Sequence, residues 1–70
     1  MDVLDVPGCP EGSLRVVSYI QERQPAVLVV RTPDADCVKV LQLVLPLFDY
    51  SVVETTSGDI YMLKVKRRDV

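Results

Sequence analysis

The sequence predicts an α/β (α+β) fold: a two-layer sandwich of order β-α-β-α-β-β, with two helices on one face of a mixed four-stranded sheet. Three observations predict it. A valine-rich run, Ala26 to Val30, is continuous in apolar residues and short enough for a central strand. Two stretches, one around Val16, Val17 and Ile20 and one around Val38, Leu41, Leu45 and Phe48, repeat their apolar residues at helical spacing. Near the end, Ser57-Gly58-Asp59 separates two strand-like segments as a hairpin turn would. The 70 residues make one domain, 1–70. A chain of this size removes only about 60% of its unfolded surface from water, so the core is small.

Each element has its own signal. Val3-Leu4-Asp5-Val6 is a short strand stopped by Pro7-Gly8, a turn-forming pair because proline fixes φ and glycine permits positive φ. A helical pattern begins at Pro10: Val16, Val17 and Ile20 share a face, with Leu14 three residues before Val17, while Ser18, Gln21, Glu22 and Arg23 fall elsewhere. This helix is expected to end near Gln24, ahead of Pro25. After the Ala26 to Val30 strand, Thr32-Pro33-Asp34 offers a turn, and Asp34 and Asp36 place acids where a helix dipole favours them. The second helix carries Val38, Leu41, Leu45 and Phe48, widened by Val40 and Val44. Pro46 should stop or kink it near Val44 or Leu45, since an interior proline costs about 3 kcal/mol. Tyr50 to Thr55 is β-branched. In Ile60 to Arg67, Tyr61, Leu63 and Val65 alternate with Met62, Lys64 and Lys66, the pattern of a half-buried strand. A right-handed crossover through the first helix makes the first two strands parallel.

Composition excludes several functions. Apolar residues make up 49% and charged residues 26% of the chain, the balance of a globular domain. No apolar run approaches the roughly 18 residues of a membrane span, and Met1-Asp2 does not open a signal peptide, so the expected location is the cytoplasm. A formal net charge of -2 argues against direct nucleic-acid binding by phosphate neutralisation. Lys64, Lys66, Arg67 and Arg68 form a local basic cluster, read as a solvated strand end, with an acidic partner or RNA as the alternative. Tyr19, Tyr50 and Tyr61 are read as packing residues, because no basic residues interleave them on one face. The two cysteines, Cys9 and Cys37, lie far apart and form no metal-ligand spacing, so no metal and no cofactor is expected. The sequence leaves a disulfide between them open; two free thiols is the expectation, since small disulfide scaffolds usually carry more cysteines and are secreted.

The chemistry available to Cys9 is set by what surrounds it. The chain has no histidine, so neither Ser-His-Asp nor Cys-His activation can operate within it. If Pro10 is the first helical residue, Cys9 is the N-cap and its sulfur faces free N–H groups that favour a thiolate. Alternatively Ser13 is the N-cap and Cys9 lies in the preceding loop; both placements keep the thiol near the helix mouth. Glu11 brings a negative charge that Arg15 can pair at i+4, and Gly12 loosens the first turn. On these grounds a reactive thiol and a structural cysteine are equally compatible with the residues.

The stretch "LDVPGCPEG" resembles the opening of the TusA-like (SirA-like) small sulfur carriers, with Leu-Asp, a glycine and then Cys-Pro at the start of the first helix. "QERQP", "RTPDAD" and "VVETTSGDIYMLKVKR" resemble that family's helix break, second-helix turn and closing hairpin, so the likeness spans nearly the whole chain as a single TusA-like domain. The resemblance implies that Cys9, with Pro10, Glu11, Gly12 and Ser13 as its helix N-terminal motif, carries sulfur as a persulfide. It also implies a donor protein of cysteine desulfurase or rhodanese type and an acceptor protein, in a relay toward tRNA thiolation, cofactor synthesis or sulfur oxidation. Gly12 stands where the family has a second proline, a two-residue spacer after Gly8 is missing, and Ala26-Val27 replaces an expected Gly-acid pair. Gly12 and the shortened loop motivate a second reading, a non-catalytic interaction or regulatory module of the same fold. Cys37 matches no family position and is read as a packing or partly exposed helical cysteine. The expected state is a monomer or weak dimer.

Overall fold

A computed structural model describes residues 1–70. Its elements are β1 (Asp2–Asp5), α1 (Glu11–Arg23), β2 (Val27–Thr32), α2 (Ala35–Val44), a 3-10 helix (Leu45–Phe48), β3 (Tyr50–Thr56) and β4 (Tyr61–Arg67). The strands form one four-stranded sheet in the order β1-β2-β4-β3. β1 pairs with β2 in parallel, Val3 opposite Val29, and β4 pairs antiparallel with both β2 and β3. The predicted two-layer α+β class and element order are therefore those of the molecule.

The valine-rich run becomes central β2, which also extends through Arg31 to Thr32. Its residues alternate: Leu28, Val30 and Thr32 are buried beneath the helices, whereas Val27, Val29 and Arg31 lie half-buried on the open face. β4 repeats the arrangement, with Leu63 and Val65 buried and Lys64 and Lys66 on the other face. The core is completed by Val16 and Ile20 from α1, Val38, Leu41 and Leu45 from the second helical stretch, and Val6, Cys37 and Tyr50. Burying a valine or leucine side chain contributes about 1.5–3 kcal/mol each, so every one of these few positions matters to a domain of this size.

Local signals explain most boundaries. Asp34 caps α2, its side chain accepting from the Asp36 N–H at 3.0 Å. Pro46 ends the regular helix at Val44, after which the chain tightens into the 3-10 turn. Other expectations fail. Leu14 is 66% exposed, because the buried face of α1 runs through Gly12, Ser13, Val16 and Ile20, and Phe48, at the end of the 3-10 turn, is also exposed. No glycine adopts positive φ; that conformation is taken by Gln24 (φ 46°), which ends α1, and Asp49 (φ 63°), which ends the 3-10 turn.

Candidate functional site

Consecutive β-α units with parallel strands put the N-terminal ends of both helices at the same edge of the sheet, and the cysteines sit at those ends. The Val6 N–H extends the parallel ladder to the Arg31 carbonyl at 2.9 Å, and Pro7, having no N–H, ends it. The hydroxyl of fully buried Thr32 donates to the Pro7 carbonyl at 3.1 Å and accepts from the Asp34 N–H at 3.2 Å. One side chain thus fastens the loop before α1 to the turn before α2. Gly8 permits the approach, since a Cβ there would stand 2.7 Å from Asp34 Oδ2.

Cys9 is half-buried and precedes the N-cap, which is Pro10 (φ -80°, ψ -14°) rather than Cys9 or Ser13. The Cys9-Pro10 peptide bond is cis. Ser13 is already inside the helix, its hydroxyl donating to the Pro10 carbonyl at 2.7 Å. The Gly12 N–H donates to the Gly8 carbonyl at 2.8 Å, so that first-turn donor is occupied by backbone instead of sulfur. Glu11 and Arg15 do pair at 3.0 Å, both well exposed, which is worth a few tenths of a kcal/mol.

Cys37 overturns the expectation of two free thiols. It lies in the first turn of α2, fully buried, with its N–H donating to the Asp34 carbonyl at 3.1 Å. Its sulfur is joined to that of Cys9 in a disulfide across a Cα–Cα distance of 4.9 Å, well inside the range disulfides span. The separation of 28 residues is about one β-α repeat, which is why positions remote in sequence meet. Cys37 is therefore a buried packing residue, as its neighbours suggest, and also the covalent partner of Cys9.

Gly12 has a role that its effect on helix propensity conceals. A Cβ at this position would lie 2.8 Å from the Pro7 carbonyl oxygen, 3.1 Å from Cys37 Sγ and 3.1 Å from Val6 Cγ2. A proline here, as in the motif the sequence resembles, would meet those atoms and lose the hydrogen bond to Gly8. Glycine makes the space that the Cys37 sulfur uses, so Gly12 and Cys37 form one structural unit. Sequence reasoning missed this unit and the Thr32 bridge. Their available signals were the repeat-length spacing of the cysteines and a threonine at the end of a strand just before a helix cap.

The remaining residues do not converge on the sulfurs. No group of three Cys, Asp or Glu side chains is placed to hold a metal ion. None of the surface clefts is lined by Cys9 or Cys37. A cleft of about 380 Å³, lined by Ile20, Gln24, Phe48, Tyr50 and Arg67 among others, lies at the opposite end of α1, roughly 20 Å away by helix rise. The basic cluster is divided. Lys64 pairs across the sheet with Glu54 and Val29, whereas Arg67 turns its guanidinium to Asp69 and to the Gln24 carbonyl, 2.6 Å away. No helix is long and apolar enough to cross a membrane. In comparisons with known proteins, the chain matches no protein-family model, no curated protein and no solved structure.

Proposed function

We propose that this protein is a sulfur carrier that accepts and donates sulfane sulfur through Cys9 in its reduced form, within a cytoplasmic relay between a desulfurase- or rhodanese-type donor and an acceptor protein. The observation that carries this reading is the position of Cys9: half-exposed, at the mouth of α1 and beside the N-terminus of α2. Each helix end presents roughly half a positive charge, which favours an anion placed beside it. The "LDVPGCPEG" motif and the element order support it further. With a persulfide donor, the Cys9 thiolate attacks the terminal sulfur, a Cys9–S–SH bond forms, and the donor thiolate leaves. An acceptor thiolate then takes that outer sulfur and releases the Cys9 thiolate. Because Cys9 lines none of the clefts, both steps suit docked proteins better than an enclosed small substrate.

A second reading, a non-catalytic interaction module, is favoured by the disulfide, since Cys9 tied to Cys37 has no thiol to load. The two separate in one experiment. The reduced Cys37→Ser protein is incubated with thiosulfate and a catalytic amount of a rhodanese, and its intact mass is measured. The carrier gains one sulfur atom, lost in Cys9→Ser. A mass that stays unchanged, or a gain that persists without Cys9, sinks the carrier reading.

A further inference from the structure

Building on the carrier reading, we infer that Cys37 is a resolving thiol, which discharges the Cys9 persulfide as hydrosulfide and closes the disulfide. The reaction follows from the placement of the two sulfurs. Loading leaves Cys9 as Cys9–S–SH, with its inner sulfur still attached to Cβ. Cys37 is the residue whose sulfur the fold already holds at bonding position to that inner sulfur, with the Cα atoms 4.9 Å apart. The Cys37 thiolate attacks Cys9 Sγ; the Sγ–Sγ bond forms, the bond to the outer sulfur breaks, and its electron pair leaves with hydrosulfide. A persulfide is already at the oxidation level of a disulfide, so the step needs no added oxidant. Reopening the bond to two thiols takes two electrons and two protons from an external dithiol reductant.

Four features adapt the fold to this step. Cys37 is fully buried while Cys9 is half-exposed, so a docking partner reaches Cys9 and Cys37 reacts only from within. Cys37 sits in the first turn of a ten-residue helix capped by Asp34, which fixes its side chain beside Cys9. Gly12 leaves open the space through which the Cys37 sulfur approaches, with its absent Cβ 3.1 Å from that atom. The Thr32 bridge between Pro7 and Asp34 holds the two cysteine-bearing segments in register. Intramolecular placement of this kind replaces a bimolecular encounter and accelerates reaction by orders of magnitude. Cytoplasmic disulfides, where they occur, are usually transient and catalytic or redox-sensing, which is the role this bond then has. The loaded carrier thus has two fates: transfer to an acceptor that arrives promptly, or self-discharge to an oxidised form that cannot be reloaded until it is reduced.

The test uses thiosulfate with a catalytic rhodanese as sulfane source, because its by-product is sulfite and any hydrosulfide must come from discharge. Reduced wild type, Cys37→Ser and Cys37→Ala are loaded anaerobically, freed of reagents, and followed by hydrosulfide release and intact mass. Wild type is expected to release about one hydrosulfide per loaded chain, to lose two hydrogens relative to the dithiol, and to do so at a rate independent of protein concentration. Both variants should keep the added sulfur roughly tenfold longer or more. Equal persistence in wild type and variants, equally fast hydrosulfide release from the variants, or recovery of the added sulfur on Cys37 would overturn the inference while leaving Cys9 loading intact. Variants that acquire no sulfur at all overturn the carrier reading and this one with it.

Discussion

The two ends of α1 are held to the rest of the molecule by opposite kinds of chemistry. At its N-terminal end the main ties are covalent and steric, the Cys9–Cys37 bond and a glycine with no room for a Cβ, with the hydrogen bonds of one buried threonine hydroxyl beside them. At its C-terminal end the ties are polar: Tyr50 donates to the Pro25 carbonyl at 2.8 Å, Arg67 to the Gln24 carbonyl at 2.6 Å, and the Arg67 N–H to the Ala26 carbonyl at 3.0 Å. The difference separates sensitivities. The sulfur end should respond to redox state and to single-atom changes in volume, and the polar end to alkaline pH.

The largest effect expected from breaking this contrast is that of reduction. Closing a loop of 28 residues stabilises a folded chain by about 3 to 4 kcal/mol in the chain-entropy treatment, a large share of the stability of a small domain. Denaturant midpoints measured with and without a thiol reductant should therefore differ widely, and Cys9→Ser should match the reduced protein. Coincident midpoints would mean that the bond constrains nothing.

An intermediate effect is expected from Gly12→Ala. The added Cβ would stand 2.8 Å from a backbone oxygen and 3.1 Å from Cys37 Sγ, neither of which lies at the end of a flexible side chain. Overpacking of this sort costs about 1–3 kcal/mol. Measured under reduction, the cost should shrink by roughly 0.5 kcal/mol or more in a Cys37→Ala background, because the two positions touch. Strict additivity would show that the glycine serves the loop alone.

The smallest effect tests the polar end. Tyr50→Phe removes the hydrogen bond to Pro25 and should cost about 1 kcal/mol at neutral pH, in either redox state. Burial pushes the Tyr50 phenol above its ordinary value, with nearby Arg67 pulling the other way. A raised folded pKa gives stability that is complete below the unfolded value, about 10, and is lost as pH rises through the folded value. Tyr19 is raised too, by its hydrogen bond to Asp2, so wild type and Tyr50→Phe must be compared. The variant should lose less stability than wild type across that alkaline range, and identical pH profiles would remove Tyr50 from the account.

Most of the fold was legible in local pattern. Period-two alternation in β4, the apolar run of β2, the Asp34 cap and the Pro46 stop each act within a few residues, so each could be read without knowing what packs against it. Leu14 and Phe48 were misread for the converse reason: helical spacing identifies a stripe, but which edge of the stripe is covered depends on the neighbouring element. At the candidate site, Cys9 and its place before a helix were visible, whereas its cap assignment missed by one residue. Gly12 was visible only as a residue that loosens the first turn and departs from a motif. Its meaning lies in atoms contributed by Pro7, Val6 and Cys37, the last of which is remote in sequence.

By itself, then, the sequence determined the kinds and order of the elements, the alternation that builds the core, and a cysteine at the mouth of a helix, because propensity, periodicity and capping are set by near neighbours along the chain. Only the tertiary structure decided that Cys9 has a partner, and that Gly12 and Thr32 make the partnership possible. Parallel β-α units bring the N-terminal ends of α1 and α2 to one edge of the sheet, and the meeting of two sulfurs there is a property of that packing.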